Sequence, residues 1–178
     1  MKAAGRVRDN AAMRTRSPVP RAFTMIELMV VVAVVAILAS LALPSIQARA
    51  IRAQVAQGRA LTAFVQQAVQ VQYAASGVMP ADNAAAAVPP ADRIVNNVVS
   101  NVEVRSGAIV VTFGNQANHA ISGHKLALRP AVVDGYPQVP ITWVCGGAPV
   151  PGNMAMHATD ETDVPPAWLP LDCRARTR

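Results

Sequence analysis

The chain has 178 residues and a formal net charge of +6, and this length suits one domain with an N-terminal appendage. Such a charge would suggest a nucleic acid or an anionic membrane as partner. The excess is confined to residues 1–22, however, where six basic side chains stand against Asp9. The remaining residues hold ten basic and nine acidic side chains, so the overall charge does not indicate a nucleic-acid-binding domain.

Residues 1–22 are polar and basic and have no apolar periodicity, which is typical of a leader that is removed. Positive residues beside a hydrophobic segment stay in the cytoplasm, so we expect the chain beyond Leu43 to be exported. The basic residues are Lys2, Arg6, Arg8, Arg14, Arg16 and Arg21.

An apolar run follows from Leu28 to Leu43 and is interrupted only by Ser40. Spanning a bilayer takes about 20 apolar residues, which requires Phe23–Ile26 as well and leaves Glu27 inside the segment. An acid in a membrane costs roughly 2.5–3.5 kcal/mol and normally has a partner and a function. The nearest candidates for a signal-peptide cleavage site after the apolar run, around Ala48–Ala50, lie within predicted helix, so we expect the segment to be retained.

Residues 24–75 are predicted to form one long helix whose second half, Ser45–Ala75, is amphipathic. Pro44 lacks a backbone donor and predicts a kink, and Gly58 weakens the helix again. The apolar stripe predicted from helical spacing consists of Leu61, Phe64, Val65 and Ala68.

Residues 76–100 form a connecting region, in which Ile94–Val99 is predicted as a short helical turn or an edge segment. From Asn101 the apolar period changes to two, which indicates antiparallel strands, and Pro130 suggests an edge or a bulge. We expect an α+β fold, with a roughly four-stranded antiparallel sheet that buries one face against the second half of the helix. The predicted strands are Val102–Arg105, Ala108–Phe113, Leu126–Val133 and Val139–Cys145.

Residues 146–178 are irregular and rich in Pro and Gly. Cys145 and Cys173 form an even pair in a chain that we expect to be exported, which predicts a disulfide. A loop of this size closed by a disulfide gains roughly 3–4 kcal/mol in the chain-entropy model. The bond would tie the far end of a surface loop to the last strand.

Neither the histidines nor a cluster of acids in the loop has the spacing of a metal site, and no catalytic motif or cofactor site is recognisable. We expect solvated histidines and a solvated acidic patch, with a zinc or a calcium site as the less favoured interpretation. The histidines are His119, His124 and His157, and the acids are Asp160, Glu161 and Asp163.

The two tryptophans and the C-terminal arginines could each have a structural role or bind a ligand. Trp143 and Trp168 are predicted to pack within the disulfide loop, and stacking on a ligand is the alternative. Arg174, Arg176 and Arg178 form a basic tail that we expect to be solvated. Weak contact with DNA phosphates is the alternative for this tail.

The segment Ala22-Phe-Thr-Met-Ile-Glu27 and the apolar run up to Pro44 resemble the class III signal and N-terminal helix of type IV pilins. The resemblance continues in Trp143-Val-Cys145 and Trp168-Leu-Pro-Leu-Asp-Cys-Arg174, which are similar to the ends of the disulfide-bounded loop of major type IVa pilins. The fold implied is the pilin fold.

The resemblance implies that prepilin peptidase cleaves between Ala22 and Phe23 and methylates the new amino group of Phe23. Ala22 stands where the family nearly always has Gly, and we expect this small residue to be accepted. Glu27 of one subunit would pair with the amine of Phe23 on a neighbour and set the register of a fibre. Pro44 would be a kink or a melted segment in the helix, and an ordinary terminator of the helix at the membrane edge is the alternative.

The function implied is that of the repeating subunit of a type IV pilus. Its precursor would cross the inner membrane once, and the homopolymer would be built outside a Gram-negative cell by an assembly machinery with its own ATPase. Adhesion, twitching motility and DNA uptake are the uses implied. Two alternatives are a minor pilin or type II secretion pseudopilin, and a signal-anchored periplasmic binding module or enzyme.

The domain organisation that follows from these expectations has three parts. They are a leader of residues 1–22, a membrane and fibre-core segment of residues 23–44, and an exported domain of residues 45–178. The exported domain divides into an amphipathic helix (45–75), a connecting loop (76–100), the sheet (101–145) and the disulfide loop (145–173).

Overall fold

A computed structural model of the chain describes residues 23–175, except for the side chains of residues 41–45. The predicted leader with Ala22 and the tail residues Arg176 and Arg178 lie outside the described residues. The side chain of Pro44 is also outside them, although its backbone belongs to a helix. The kink expected at Pro44 therefore stays a prediction.

The chain divides between Leu41 and Ala42 into two compact units. In the first unit, helix α1 (Met25–Leu61) begins directly after Thr24. The Thr24 hydroxyl oxygen accepts a hydrogen bond from the Glu27 N–H at 3.2 Å, which satisfies one of the backbone donors left free at a helix start. Within the part of the chain that the structure describes, no helix has both the length and the hydropathy needed to cross a membrane.

In the second unit, α1 ends and helix α2 (Ala63–Ser76) begins after a single intervening residue, Thr62. The fully buried Thr62 hydroxyl donates to the Arg59 carbonyl oxygen at 2.7 Å and accepts from Gln66 Nε2 at 2.9 Å. Such local bonding competes with the regular helical hydrogen bonds. The prediction of one unbroken helix over 24–75 is therefore wrong at Thr62.

One face of the two helices is buried by residues spaced three or four apart. Val65 belongs to this stripe as predicted, Leu61 and Ala68 are only partly buried, and Phe64 is wrong because 45% of it is exposed. Gly58 lies within the stripe, where a Cβ atom would be 2.6 Å from Cε1 of Phe113. The buried stripe consists of Ile51, Val55, Gly58, Thr62, Val65, Val69 and Tyr73.

The sheet is antiparallel with the order β1-β2-β3-β4, and a short fifth strand pairs with β3. Inward side chains of β1, β2 and β3 share one core with the buried stripe of the helices. The predicted α+β fold with a roughly four-stranded sheet is confirmed. The strands are β1 Val99–Arg105, β2 Ala108–Phe113, β3 Lys125–Val132, β4 Thr142–Cys145 and β5 Ala155–Met156.

Several boundaries differ from the prediction. The last main strand begins at Thr142 rather than Val139, and the segment before β1 forms a 3-10 turn at Ala91–Arg93. Pro130 is not on an edge strand, since β3 pairs on both sides. On one side of β3, residues 125–128 pair with β2 and residues 131–132 pair with β5. Pro130 lies in the gap between these two pairings, so neither β2 nor β5 requires the N–H that proline lacks.

Both faces of the sheet centre are buried, whereas the sequence predicted only one. Successive side chains of a strand point to opposite faces of the sheet. Val110, Ala127 and Val144 do not belong to the main core, yet they are almost fully buried. Glu161, from the loop between the cysteines, lies over this second face and accepts from Arg105 Nη1 at 2.8 Å. The irregular segment after β4 is therefore a cover for the sheet.

The connecting region is joined to β1 by one buried amide. Asn83 Nδ2 donates to the carbonyl oxygens of Pro89 at 2.8 Å and Val102 at 3.1 Å, and its Oδ1 accepts from the Val104 N–H at 2.6 Å. β1 is the outermost strand of the sheet order. Asn83 thus satisfies edge groups of β1 that would otherwise be unpaired.

Candidate assembly surface and disulfide-closed loop

The most exposed apolar surface of the described chain is the start of α1. We call residues 23–40 the apolar segment. Every large apolar side chain in it is at least half exposed, from 81% at Phe23 to 50% at Val34. A helix that is apolar all round normally lies inside a protein or a membrane, whereas these side chains are exposed in the part of the chain that the structure describes. The exposed residues are Phe23, Met25, Ile26, Leu28, Met29, Val30, Val31, Val32, Val34, Val35, Ile37 and Leu38.

Glu27 is the single charged residue of the apolar segment. Its backbone N–H is bound by Thr24, and among residues 23–175 no cationic side chain lies within 4.0 Å of its carboxylate. The spacing Thr24-x-x-Glu27 is that of a capping box. Sequence analysis missed the role of Thr24, although this motif could have revealed it.

The disulfide between Cys145 and Cys173 is present, which confirms the predicted pairing. The two cysteines are 28 positions apart in the sequence. Trp143 and Trp168 are partly buried and pack against the core, in agreement with the structural interpretation of both residues.

The end of the disulfide loop is attached to α1 by arginine side chains. Arg59 forms an ion pair with Asp172, and Arg52 Nε donates to the carbonyl oxygen of Ala167 at 3.2 Å. Arg174 Nη2 also reaches that oxygen, at 3.3 Å. Sequence analysis assigned no role to Arg52 and Arg59, because the partners are more than 110 positions away in the chain.

Loop residues that were predicted to be solvated have protein partners. Glu161 binds Arg105, whose second guanidinium nitrogen binds Glu103 at 2.8 Å. The hydrogen bond and the charge of Glu103, together with Glu161, raise the pKa of Arg105 above its ordinary value. Asp163 accepts from the backbone N–H of Lys125. Asp160 and Asp163 are exposed, as predicted for a solvated patch, whereas Glu161 is partly buried and paired with Arg105.

Two of the three histidines also have partners. His124 Nδ1 lies 3.4 Å from a carboxylate oxygen of Asp163, and His157 Nε2 lies 2.7 Å from one of Asp134. His119 and His157 are exposed, in agreement with the expectation of solvated histidines, and His124 is partly buried. Over residues 23–175, no group of three or more His, Cys, Asp or Glu side chains is arranged to hold a metal ion.

Two family models match the chain. A model of pilins, described as bacterial filament proteins, matches residues 51–174. A model of the prokaryotic N-terminal methylation motif matches residues 20–43. Between them they include the apolar segment and the disulfide-closed domain.

Several bacterial proteins are similar to the chain over most of its length. A fimbrial protein of Neisseria meningitidis serogroup A is 35% identical and aligns with 86% of this chain and 94% of its own length. The type IV major pilin protein PilE of Neisseria gonorrhoeae is 37% identical over 80% of each chain. The fimbrial protein EcpC of Eikenella corrodens is 35% identical, over 71% of this chain and 82% of its own.

Proposed function

Since this chain belongs to the pilin family and is a structural subunit of a type IV pilus, we propose that its apolar segment is the part that joins subunits into the fibre. The pilus is a multi-subunit fibre at the surface of a Gram-negative cell. The observation that carries the proposal is that all large apolar side chains of residues 23–38 are at least half exposed.

Before assembly, we propose, the same segment holds the precursor in the inner membrane as a single span. On extraction it leaves lipid and packs against like helices of other subunits. Its apolar surface stays out of water in both states, so the transfer carries no large hydrophobic penalty. Residues 1–22 are then the leader, residues 23–44 the membrane and fibre-core segment, and residues 45–178 the exported domain.

The proposed processing step is cleavage between Ala22 and Phe23 by prepilin peptidase, followed by methylation of the Phe23 amine. Glu27 lies about one helical turn from that amine. Glu27 of an incoming subunit would pair with the Phe23 amine of its neighbour. A buried carboxylate is tolerated when paired and costly when not, so this pair would select one register.

The remaining steps depend on other proteins and on the finished fibre. An assembly machinery with its own ATPase supplies the energy in this proposal, and Pro44 gives the helix a place to bend. The fibre serves adhesion, twitching motility or DNA uptake. Contact with DNA phosphates would involve the tail arginines Arg174, Arg176 and Arg178 and would be weak.

The test of this proposal is the mass and N-terminal sequence of the mature protein, taken with and without reductant. We expect a chain that begins at Phe23 with one added methyl group, and a disulfide that gains two hydrogens on reduction. A mature protein that keeps residues 1–22, or that begins with an unmodified residue elsewhere, would contradict the proposed processing.

A further inference from the structure

A cavity of about 410 Å³ lies at the C-terminal end of α2. The turns after β1 and β3 and the segment after β5 form its other walls. We call it the Tyr73 cavity, and its volume is within the usual range of binding sites for small molecules. The lining residues are Tyr73, Gly77, Val78, Met79, Ser106, Asp134, Gly135 and His157.

Tyr73 contributes a polar group to this cavity. The residue is only 7% exposed and belongs to the main core. In the part of the chain that the structure describes, Arg129 Nε is the one buried side-chain nitrogen or oxygen without a hydrogen-bond partner. The Tyr73 hydroxyl forms no hydrogen bond to a described residue, so it must reach solvent at the cavity. A buried tyrosine usually has a partner for its hydroxyl, which leaves this one available to a ligand.

The charge of the Tyr73 cavity comes from Asp134. No lysine or arginine is among the described residues that line it. Asp134 Oδ1 lies 2.7 Å from His157 Nε2, and a neutral imidazole can donate a hydrogen bond through one ring nitrogen. The second carboxylate oxygen, Oδ2, has no hydrogen bond to a described residue. With a neutral imidazole the lining is negative, which favours a cation over an anion.

The walls of the Tyr73 cavity are held by backbone hydrogen bonds. The Gly77 N–H donates to the Tyr73 carbonyl oxygen at 2.8 Å, and the Ser106 N–H donates to the Ala81 carbonyl oxygen at 3.0 Å. These bonds leave the Tyr73 hydroxyl and the Asp134 carboxylate unused. The cavity is therefore formed before a ligand binds, which lowers the entropic cost of binding.

We propose that the Tyr73 cavity binds a primary alkylammonium group, carried by a free small amine or by a lysine side chain of another protein. An ammonium group has three donors and no acceptor. It would donate to Asp134 Oδ2 and to the Tyr73 hydroxyl oxygen, while its alkyl chain packs against Val78 and Met79. None of these residues belongs to the apolar segment, so the inference does not depend on the proposed function.

Saturation-transfer NMR on the purified full chain in a neutral detergent tests the inference, with butylammonium as the probe. A pH of about 8.5 keeps imidazole neutral and the amine charged. We expect a dissociation constant of about 1 mM or lower for a ligand of this size. 1-Butanol has the same chain without the charge and should bind roughly tenfold more weakly or worse. Equal binding of the two, or no transfer to butylammonium, would overturn the inference.

Nα-acetyl-lysine methylamide distinguishes the two sources of the ammonium group. Its side chain carries the same butylammonium group on a peptide backbone. If it binds as well as butylammonium, the cavity accepts a lysine of another protein. If only butylammonium binds, the ligand is a free amine. Both results support an alkylammonium site.

Two substitutions test the assigned contacts. Asp134→Asn keeps the shape and an acceptor for His157 but removes the charge, so it should weaken butylammonium binding by roughly tenfold or more. Tyr73→Phe removes only the hydroxyl and should weaken binding by roughly threefold to tenfold. The matched control is Asp92→Asn, because the side chain of Asp92 is 71% exposed, that of Asp134 is 67% exposed, and Asp92 does not line the cavity. Equal affinities of the two aspartate variants would refute the inference.

Thermal unfolding of the same variants checks that the hydroxyl is free in the folded chain. Tyr73→Phe should keep the unfolding temperature within about 2 °C of the unmodified chain, because no internal hydrogen bond is lost. A larger decrease would show that the hydroxyl already has a partner within the protein, which contradicts the site.

Discussion

At the start of α1, the helix cap and the charge belong to two different residues, Thr24 and Glu27. Thr24 caps the helix through the backbone N–H of Glu27, so the cap does not use the Glu27 carboxylate. An acid in the first turn is also favoured by the helix dipole. The carboxylate can therefore be removed without removing the cap, which makes its role in assembly testable.

Glu27→Ala and Glu27→Gln should both reduce fibre yield by roughly tenfold or more, because neither can form the proposed ion pair with the Phe23 amine. Glu27→Gln keeps the size and the hydrogen-bonding groups, so its failure would identify charge as the requirement. Sheared fibre yield and the mass of the mature subunit are the measurements. Normal assembly of either variant alone would contradict the proposed register mechanism.

The control for this experiment is Thr24→Ala. It removes the cap at a cost of about 1 kcal/mol of helix stability and keeps the carboxylate of Glu27. We expect fibre yield from Thr24→Ala to stay within about twofold of the unmodified chain, since a loss of 1 kcal/mol is small beside the cost of an unpaired buried charge.

Gly58 is required by a contact rather than by backbone conformation. A Cβ atom there would lie 2.6 Å from Phe113 Cε1 and 3.3 Å from Val99 Cγ2. Alanine would gain about 1 kcal/mol of helix propensity, but overpacking a core costs about 1–3 kcal/mol. We expect Gly58→Ala to lower the free energy of unfolding by about 1 kcal/mol, measured by chemical denaturation.

A double variant separates these two terms. Phe113→Leu should make room for the added methyl group, so Gly58→Ala in that background should be neutral or stabilising. If Gly58→Ala is equally destabilising with and without Phe113, its effect does not come from this contact.

At the scale of secondary-structure elements, local sequence patterns predicted the strands whose bounds depend on local interactions. Strand β2 was predicted at its observed bounds, Ala108–Phe113, because a run of β-branched residues after the Ser106-Gly107 turn is a local signal. The exposure of Phe64 could not be predicted in this way, because helical spacing alone allows more than one apolar stripe. Thr62 is buried instead, since its hydroxyl is satisfied inside the helix.

Long-range contacts account for the other errors. Pro130 was assigned to an edge or a bulge because a proline lacks one donor. The gap between the β2 and β5 pairings on β3 depends on β5, which was not predicted from the sequence. The proposed contacts of the apolar segment are with other subunits, and the motif Ala22–Glu27 with the apolar run after it led to this prediction without any tertiary information. It stays a prediction.

The edge of β1 is controlled by Asn83, and its removal is a test at this scale. Asn83→Ala would leave the Val104 N–H and the Val102 carbonyl oxygen without these partners. A buried unsatisfied group costs about 1–3 kcal/mol, so we expect a loss of roughly 2–4 kcal/mol in the free energy of unfolding. Hydrogen exchange at the Val104 amide should become faster.

Asn101→Ala is the matched control for Asn83→Ala. It removes the same side chain from β1 itself, where the Asn101 side chain is only partly buried. Its effect should be within about 0.5 kcal/mol, as for surface substitutions away from such networks. Equal losses from the two variants would show that Asn83 has no special role at the strand edge.

At the scale of the whole molecule, the chain has two ways of covering apolar surface. The second face of the sheet is covered by the chain's own disulfide loop, through Glu161 and Asp163. Within residues 23–175, the large apolar side chains of the apolar segment are at least half exposed. The disulfide therefore belongs to the fold of the second unit, and we propose that fibre assembly uses the apolar segment instead.

Removing both cysteines should separate these two properties. The double variant Cys145→Ala/Cys173→Ala should lose about 3–4 kcal/mol of stability, and the loop between residues 146 and 172 should become sensitive to proteases because its far end is no longer attached to β4. Arg105→Gln removes only the ion pairs with Glu103 and Glu161 and should cost less than about 1 kcal/mol.

The measurements are thermal unfolding and limited proteolysis of the purified chain. The Arg105 pKa is raised by its hydrogen bond and charge interaction with Glu103 and by Glu161, so the guanidinium stays charged and the stability it contributes does not change between pH 6 and pH 9. The small loss in Arg105→Gln should therefore be the same at pH 6 and pH 9 and shrink in high salt. An unchanged cleavage pattern in the double cysteine variant would show that ion pairs and packing, rather than the disulfide, hold the loop on the sheet.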